Sequence, residues 1–402
     1  MFKGIPGGKY TRKYIVSRAL GASCFCVLFG ILVAGLKPFN PFPKNEVSWQ
    51  TGTNGLHFGD NGTIFTTGRF QTVGLRAGAT CTIEIWLEAA HDNDENTFVA
   101  FYSPENPLRF RLQQYIDNIL VRRDIRDSRG HTRTAEIEID HVFKLHKRVF
   151  ITIASGADGT SAYVDGTLVA RSQTFGLTSE DTSGQIIIGT SPTEYATWAG
   201  QLLGLAVYNF DLSEAEVRQH YDSWTKHGQP EGYENEAIVA LYEFDEQGGN
   251  VVHNRAGSAP DLQIPKYFDV VHKPLLALPW KEYYPGWCYV EDLAVNIVGF
   301  VPLGFLFGLY FSIRNSRRAA LKTIVFGGVV SLFIEISQAY IPSRTSGITD
   351  LITNTSGTAL GVLLCQMRLV RRILSRFGIT LDQNPSVPAG KRTSPESDIR
   401  FG

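Results

Sequence analysis

The sequence predicts a multidomain protein: a four-helix transmembrane bundle with an all-β sandwich inserted between spans 1 and 2. Three observations predict it. Long apolar runs stand near both ends of the chain. Basic residues flank those runs in a pattern that fits a single orientation. The stretch between the first two runs reads as short alternating segments split by turn signals, the mark of antiparallel β-structure.

At 402 residues the length allows two or three domains. The formal net charge of −1 carries no signature of nucleic-acid binding. The near-neutral mean hydropathy of −0.07 averages over apolar ends and a polar middle. Five cysteines occur: Cys24, Cys26, Cys81, Cys288 and Cys365. Three lie in apolar runs, none has metal-type spacing, and all read as small buried hydrophobes. Only Cys81 and Cys288 could meet an oxidising compartment.

Residues 1–14 form a basic N-terminus with Lys3, Lys9, Arg12 and Lys13, and 15–36 is the first span. A cleaved signal peptide is the rival reading, but the run is long for one, which favours a retained anchor. The other spans are expected at about 292–313, 321–341 and 348–370. Arg314, Arg317, Arg318 and Lys322 follow the second, and Arg371, Arg372 and Arg376 follow the fourth. The positive-inside rule then puts both ends in the cytoplasm and 37–290 outside. Residues 382–402 are poor in apolar side chains and read as a disordered cytoplasmic tail.

The sandwich is expected over 45–226. "CTIEIWLEA" (81–89) alternates with period two. Asp165-Gly166 between "SAYV" and "TLVA" is a two-residue hairpin signal. Ser213 with Glu216 makes a capping box that starts one late helix. The pieces T-I-E-I-W-L, Y-V-D-G-T-L-V, I-I-I-G and Y-N-F-D-L-S-E-A-E-V resemble the LamG-like jelly roll of the concanavalin A-like superfamily. That resemblance implies a fold whose members bind glycans, proteins or calcium. No dense acidic loop supports calcium, and no cofactor is evident. Trp86, Trp198 and Tyr195 are the rings that could stack on sugars, although Trp86 falls in an alternating strand and so also reads as core. Residues 237–264, within the 227–290 connection, look like a strand and turn. Two readings stand: a displaced edge of the same sandwich, or a separate hairpin.

The last three spans carry polar residues in an apolar setting: Asp292 and Asn296, Glu335 and Gln338, Asp350 and Asn354, with Arg344 in the outer turn. Spacings of three and four put each pair on one helical face. Asn296, Glu335 and Asn354 should lie within roughly 10 Å of the outer surface. A charge in the bilayer costs about 2.5–3.5 kcal/mol even on mild scales, so these groups should face one another. Arg344 is expected to pair with one of the acids. Packing between helices and handling of a ligand are both open readings, and Gly304-x-x-x-Gly308 and Gly357-x-x-x-Gly361 suit close packing.

"NIVGFVPLGFLFG" (296–308) and "IEISQAYIPSRTSGITDLITNTSGTALG" (334–361) resemble the VanZ-like family of bacterial membrane proteins, in the pattern N-x4-V-P-L-G-F, I-E-x2-Q, R-x5-D-x3-N-x2-G. The resemblance implies a multi-pass protein of a bacterial cytoplasmic membrane with a role in the cell envelope, and glycopeptide antibiotic resistance is the family's namesake. By position its polar residues are Asn296, Glu335, Gln338, Arg344, Asp350 and Asn354; Asp292 lies outside that pattern.

Three functions compete. In the first, the polar cluster handles a membrane lipid or lipid-linked glycan while the sandwich binds sugar or a cell-wall component. In the second, the spans only anchor a carbohydrate-binding or adhesion module. The third is catalysis, for which no complete constellation is visible: the last three spans lack histidine, and Ser337 and Ser356 have no activator. The oligomeric state is not encoded in any motif.

Overall fold

In the computed structural model, residues 8–72, 80–126, 132–230, 238–314 and 316–376 are described. The tail at 382–402 and residues 1–7 of the basic N-terminus lie outside them. The chain divides into two units. One comprises 1–37, 276–337 and 346–402; the other comprises 38–275 and 338–345.

The second unit holds two antiparallel sheets. The strands are β1 (Val47–Trp49), β2 (Leu56–Phe58), β3 (Ile64–Thr66), β4 (Cys81–Ala89), β5 (Thr97–Tyr102), β6 (Phe110–Tyr115), β7 (Asn118–Arg126), β8 (Thr132–Ile139), β9 (Arg148–Gly156), β10 (Gly159–Val164), β11 (Thr167–Ser172), β12 (Gln185–Ile188), β13 (Gly200–Tyr208), β14 (Ile238–Tyr242), β15 (Val251–Val252) and β16 (Leu262–Gln263). The first sheet runs β1-β2-β13-β4-β9-β10-β11 with β14 also on β13, and the second runs β15-β16-β3-β12-β5-β6-β7-β8. Residues 238–264 therefore join the sandwich through both sheets. β14 aligns with β13 from Leu205↔Tyr242 onward, and β16 aligns with β3.

Period-two alternation sends Ile83, Ile85 and Leu87 of β4 into the core, with Phe58, Phe98, Phe110 and Trp198. Helix α2 (Glu214–His227) packs Trp224 onto the opposite face of β4, where Trp86 and Glu88 stay partly exposed. Glu84 on that face is fully buried. Its carboxylate accepts from Tyr208 Oη at 2.8 Å and Trp224 Nε1 at 3.1 Å, and bonds His220 Nδ1 at 3.0 Å. A buried carboxylate is tolerable only when so satisfied. The helix starts on the expected capping box, with the Ser213 amide donating to Glu216 Oε2 at 2.7 Å. The Asp165-Gly166 turn joins β10 to β11, both residues having positive φ (50° and 73°), as a type I′ turn demands.

The sandwich's first and last segments are laced together. The Asn45 amide donates to Lys266 O at 3.2 Å, the Phe268 amide donates to Pro43 O at 2.9 Å, and Lys44 and Tyr267 form an isolated bridge. Asn45 Nδ2 adds bonds to Thr63 O and Pro265 O.

The first unit is helical. α1 (Gly8–Leu36) precedes the sandwich in sequence. α3 (Pro279–Glu282), α4 (Trp287–Ile313), α5 (Ala319–Ala339), α6 (Ile348–Gln366) and α7 (Arg368–Arg376) follow it. Segment Ile15–Leu36 of α1, α4 and α5 are long and apolar enough to cross a membrane. Among the described residues that makes three candidate spans where the sequence suggests four. α6 falls short because Thr349, Asp350, Thr353, Asn354, Thr355, Ser356 and Thr358 crowd its first eleven residues. It also stops at Met367, whose ψ of 136° is extended, before the arginine-rich α7.

Close packing joins α4 to α6. A side chain at Gly304 would strike the Thr358 carbonyl, one at Gly357 the Ile297 carbonyl, and one at Gly361 the Val301 carbonyl. Only glycine permits backbones this close. Gly308, by contrast, leaves room for ordinary contact with Val362.

Two outcomes follow. Deleting 238–264 should expose the Cys81 thiol, fully buried in the sandwich, to a maleimide in native buffer, read by mass spectrometry. Gly357→Leu should destabilise the helical unit by at least about 2 kcal/mol, whereas Gly308→Ala should be near neutral in detergent thermal melts.

Candidate functional site

Helix α6 begins without a cap of its own. Its N-cap is Gly347, in extended conformation, and no side chain there accepts from the first turn. The first amides of a helix need partners, most of all where water is scarce. Three distant segments supply them. Glu335 of α5 accepts from the Gly347 amide at 2.8 Å. The Ala277 carbonyl accepts from the Ile348 amide at 2.9 Å, and the Ala277 amide in turn donates to Ser346 O at 2.8 Å. Glu282 of α3 accepts from the Thr349 amide at 3.1 Å and from the Thr349 hydroxyl. Carboxylates at this end also meet the positive pole of the helix dipole.

The remaining polar groups of this unit lie close by in sequence and contact. Asn296 Nδ2 of α4 donates to Asp350 Oδ1 at 2.7 Å. Asn354 Nδ2 donates to Ser331 Oγ of α5 at 3.0 Å, while Asn354 Oδ1 is buried without a hydrogen-bond partner. Glu335 is only 1 % exposed and Asn354 4 %. Asn296, Glu335, Asp350 and Asn354 are therefore tied across α4, α5 and α6.

Asp292 takes another partner. It is exposed on the first turns of α4 and accepts from Tyr284 Oη at 2.6 Å. That bond is the main cause pushing the Tyr284 phenol up to about 12.

Gln338 and Arg344 belong to the sandwich unit. Gln338 is buried. Its carbonyl accepts from Lys273 Nζ at 2.8 Å, and the Ile341 carbonyl accepts from the same ammonium. The Arg344 amide donates to Ile341 O at 2.9 Å, but its Nε is buried without a partner. The carboxylate clamp expected of this guanidinium is not what occupies that Nε. Burial pulls the Lys273 ammonium down to about 8; Asp269 opposes the shift and Arg344 adds to it.

Sequence reasoning missed Glu282, Ser331 and Lys273. Glu282 and Lys273 lie in the linker before α4, where no periodicity marks a contact. Ser331 stands four residues before Glu335, a spacing that could have been used.

Of the three rings considered for sugar stacking, Trp198 is removed. It is fully buried, with Nε1 donating to Gln114 Oε1 at 3.0 Å. Tyr195 is 41 % exposed, and Trp86 is half-buried beneath the Arg148 guanidinium at 5.8 Å. All five cysteines are free. Among the described residues no group of three His, Cys, Asp or Glu is placed to hold a metal.

Fold and site together define an integral-membrane type of protein with a lectin/glucanase-like sandwich. Residues 237–371 match the VanZ/LLP1 family, and residues 59–218 match the Concanavalin A-like lectin/glucanases superfamily, so the chain carries a VanZ/LLP1 region together with a LamG domain. The first match begins inside the sandwich, one residue before β14. No curated protein matches the chain.

Three solved structures illustrate the sandwich's likenesses. A putative carbohydrate binding protein from Bacteroides ovatus is 14% identical, with 54% of this chain and 60% of that one covered at a TM-score of 0.38. A native heptameric SAP-like pentraxin from Limulus polyphemus is 14% identical, with 45% and 79% covered at 0.32. The binding domain of Paraclostridial Mosquitocidal Protein 1 is 16% identical, with 46% and 48% covered at 0.34. Similarity at this level says nothing of what this chain binds.

Removing the Glu282 carboxylate tests the capping account. Glu282→Ala should cost about 1–2 kcal/mol, read as a lower melting temperature in mild detergent, while Glu291→Ala, an exposed neighbour, should leave it unchanged.

Proposed function

We propose that this is a multi-pass protein of a bacterial cytoplasmic membrane whose polar cluster handles a lipid or lipid-linked glycan of the outer leaflet. The sandwich, outside the cell, takes the attached sugar or the wall. In this reading α6 is a fourth span that crosses the bilayer packed on α4, and both ends of the chain are cytoplasmic, in keeping with the basic residues around α1, the α4–α5 turn and α7. The activity belongs to envelope biology, with glycopeptide resistance as one outcome. The observation that carries the reading is the buried Asn354 Oδ1, an acceptor without a partner beside a bonded Asn296–Asp350 pair. A cluster built only to hold helices together would satisfy that oxygen, since an orphaned buried acceptor costs about 1–3 kcal/mol.

A second reading keeps the membrane helices as a structural anchor for a carbohydrate-binding or adhesion module. The exposed Tyr195 ring on the sandwich favours it. The catalytic reading has no nucleophile–base pair behind it.

The readings separate on variants. Glu335→Gln and Arg344→Ala should abolish the envelope phenotype while the protein remains in the membrane, and lipids that co-purify with the wild type should be lost from Glu335→Gln by mass spectrometry. Full activity of both variants would sink the lipid-handling reading. Activity kept after the spans are exchanged for an unrelated anchor would establish the module reading instead.

A further inference from the structure

Within the sandwich unit, beside residues 265–273, lies a cleft of about 580 Å³. Its lining combines aromatic rings with charge: Phe42, Tyr267 and Tyr340 with Lys266, Lys273 and Asp269. Phe42 and Tyr340 are each 71 % exposed. The Phe42 and Tyr267 rings lie 6.0 Å apart, and the Lys266 ammonium stands 5.1 Å over Tyr267. Large exposed rings next to ammonium groups suit an amphiphile with an anionic head better than a neutral sugar.

Two donors in this unit lack full use. Lys273 spends two of its three N–H bonds on the Gln338 and Ile341 carbonyls, so one remains. Arg344 has its buried Nε without a partner. The two cations repel each other, and Asp269 is the carboxylate acting against them. Arg344 does not line the cleft, but its charge beside Lys273 adds to the positive potential there, which favours an anion.

We infer that this cleft takes the phosphate head of a membrane lipid, with Lys266 and Lys273 as its donors, Arg344 adding positive charge behind Lys273, and Phe42 and Tyr340 against the adjoining hydrocarbon chain. The inference rests on the lipid-handling reading and names a headgroup chemistry for it. A phosphate offers several oxygens and can accept from two ammonium groups together, as charge-assisted bonds. Neither Lys273 nor the two rings belong to the polar pattern of the membrane segments, so the site adds to that pattern.

The test uses the purified full chain in detergent micelles, with binding followed by native mass spectrometry. The probes are a polyprenyl phosphate, the polyprenyl alcohol of the same length, phosphatidylcholine and glucose 1-phosphate. The phosphate lipid should bind at least about tenfold more tightly than the other three. Lys273→Gln and Lys266→Gln should each remove most of that preference, Lys273→Arg should keep it, and Asp269→Asn should strengthen it. Because Lys273 also holds two carbonyls, the Asp269→Asn gain checks the charge argument without loss of that contact. Equal binding of alcohol and phosphate overturns the inference, as does equal binding of glucose 1-phosphate, which makes the ligand soluble. In either case a lipid lost only in Glu335→Gln leaves the broader reading standing. A phosphate preference that depends on Lys273 but survives Glu335→Gln supports the inference and removes the polar cluster from lipid handling.

Discussion

The first amides of a helix need acceptors, and α6 has no side chain at its N-cap to supply one. That constraint organises the helical unit. Gly347 at the N-cap leaves three amides open, and they are closed by a carboxylate from α5, a carbonyl at residue 277 and a carboxylate from α3. A side chain at Gly347 would have to push the Glu282 carboxylate aside. α6 then lies against α4 at glycine-only distance. The start and the face of α6 are thus both set by partners remote in sequence, and its own propensity plays little part.

Part of this was legible in the sequence. Glycines spaced by four announced the close face, and all but one of the four residues concerned meet a neighbouring backbone. Asn296, Glu335, Asp350 and Asn354 were visible as polar groups that hydrocarbon would punish. The two-residue turn at Asp165-Gly166 and the box at Ser213 were legible because one or two residues decide such geometry locally. The hydrophobic alternation of β4 showed the sandwich but mis-stated one face. Glu84 alternates as a solvent-facing residue, yet α2 folds over it, and only tertiary contact could reveal that.

What escaped sequence reasoning is non-local or graded. Glu282 and Lys273 act on groups more than sixty residues away, through a linker without period. Trp198 has the same side chain whether it lines a sugar site or a core, and only its burial decides. The number of spans is graded: α6 carries enough hydroxyls and amides to blur the line between a membrane-crossing helix and a polar one. Those same groups are what make it interesting chemically. Resemblance located the membrane region, but its match begins one residue before β14, at a strand of the sandwich. Sequence similarity and compact unit thus draw different borders through residues 237–275.

The lacing of residues 43–45 to 265–268 has a consequence for how such a chain could arise. A domain whose entry and exit strands are pinned side by side presents both cut points at one place. It can be spliced into an existing loop, or removed from it, without stretching whatever the loop connects. Lys44, Tyr267 and the Asn45 amide then serve as a clasp that holds the sandwich's first and last segments side by side.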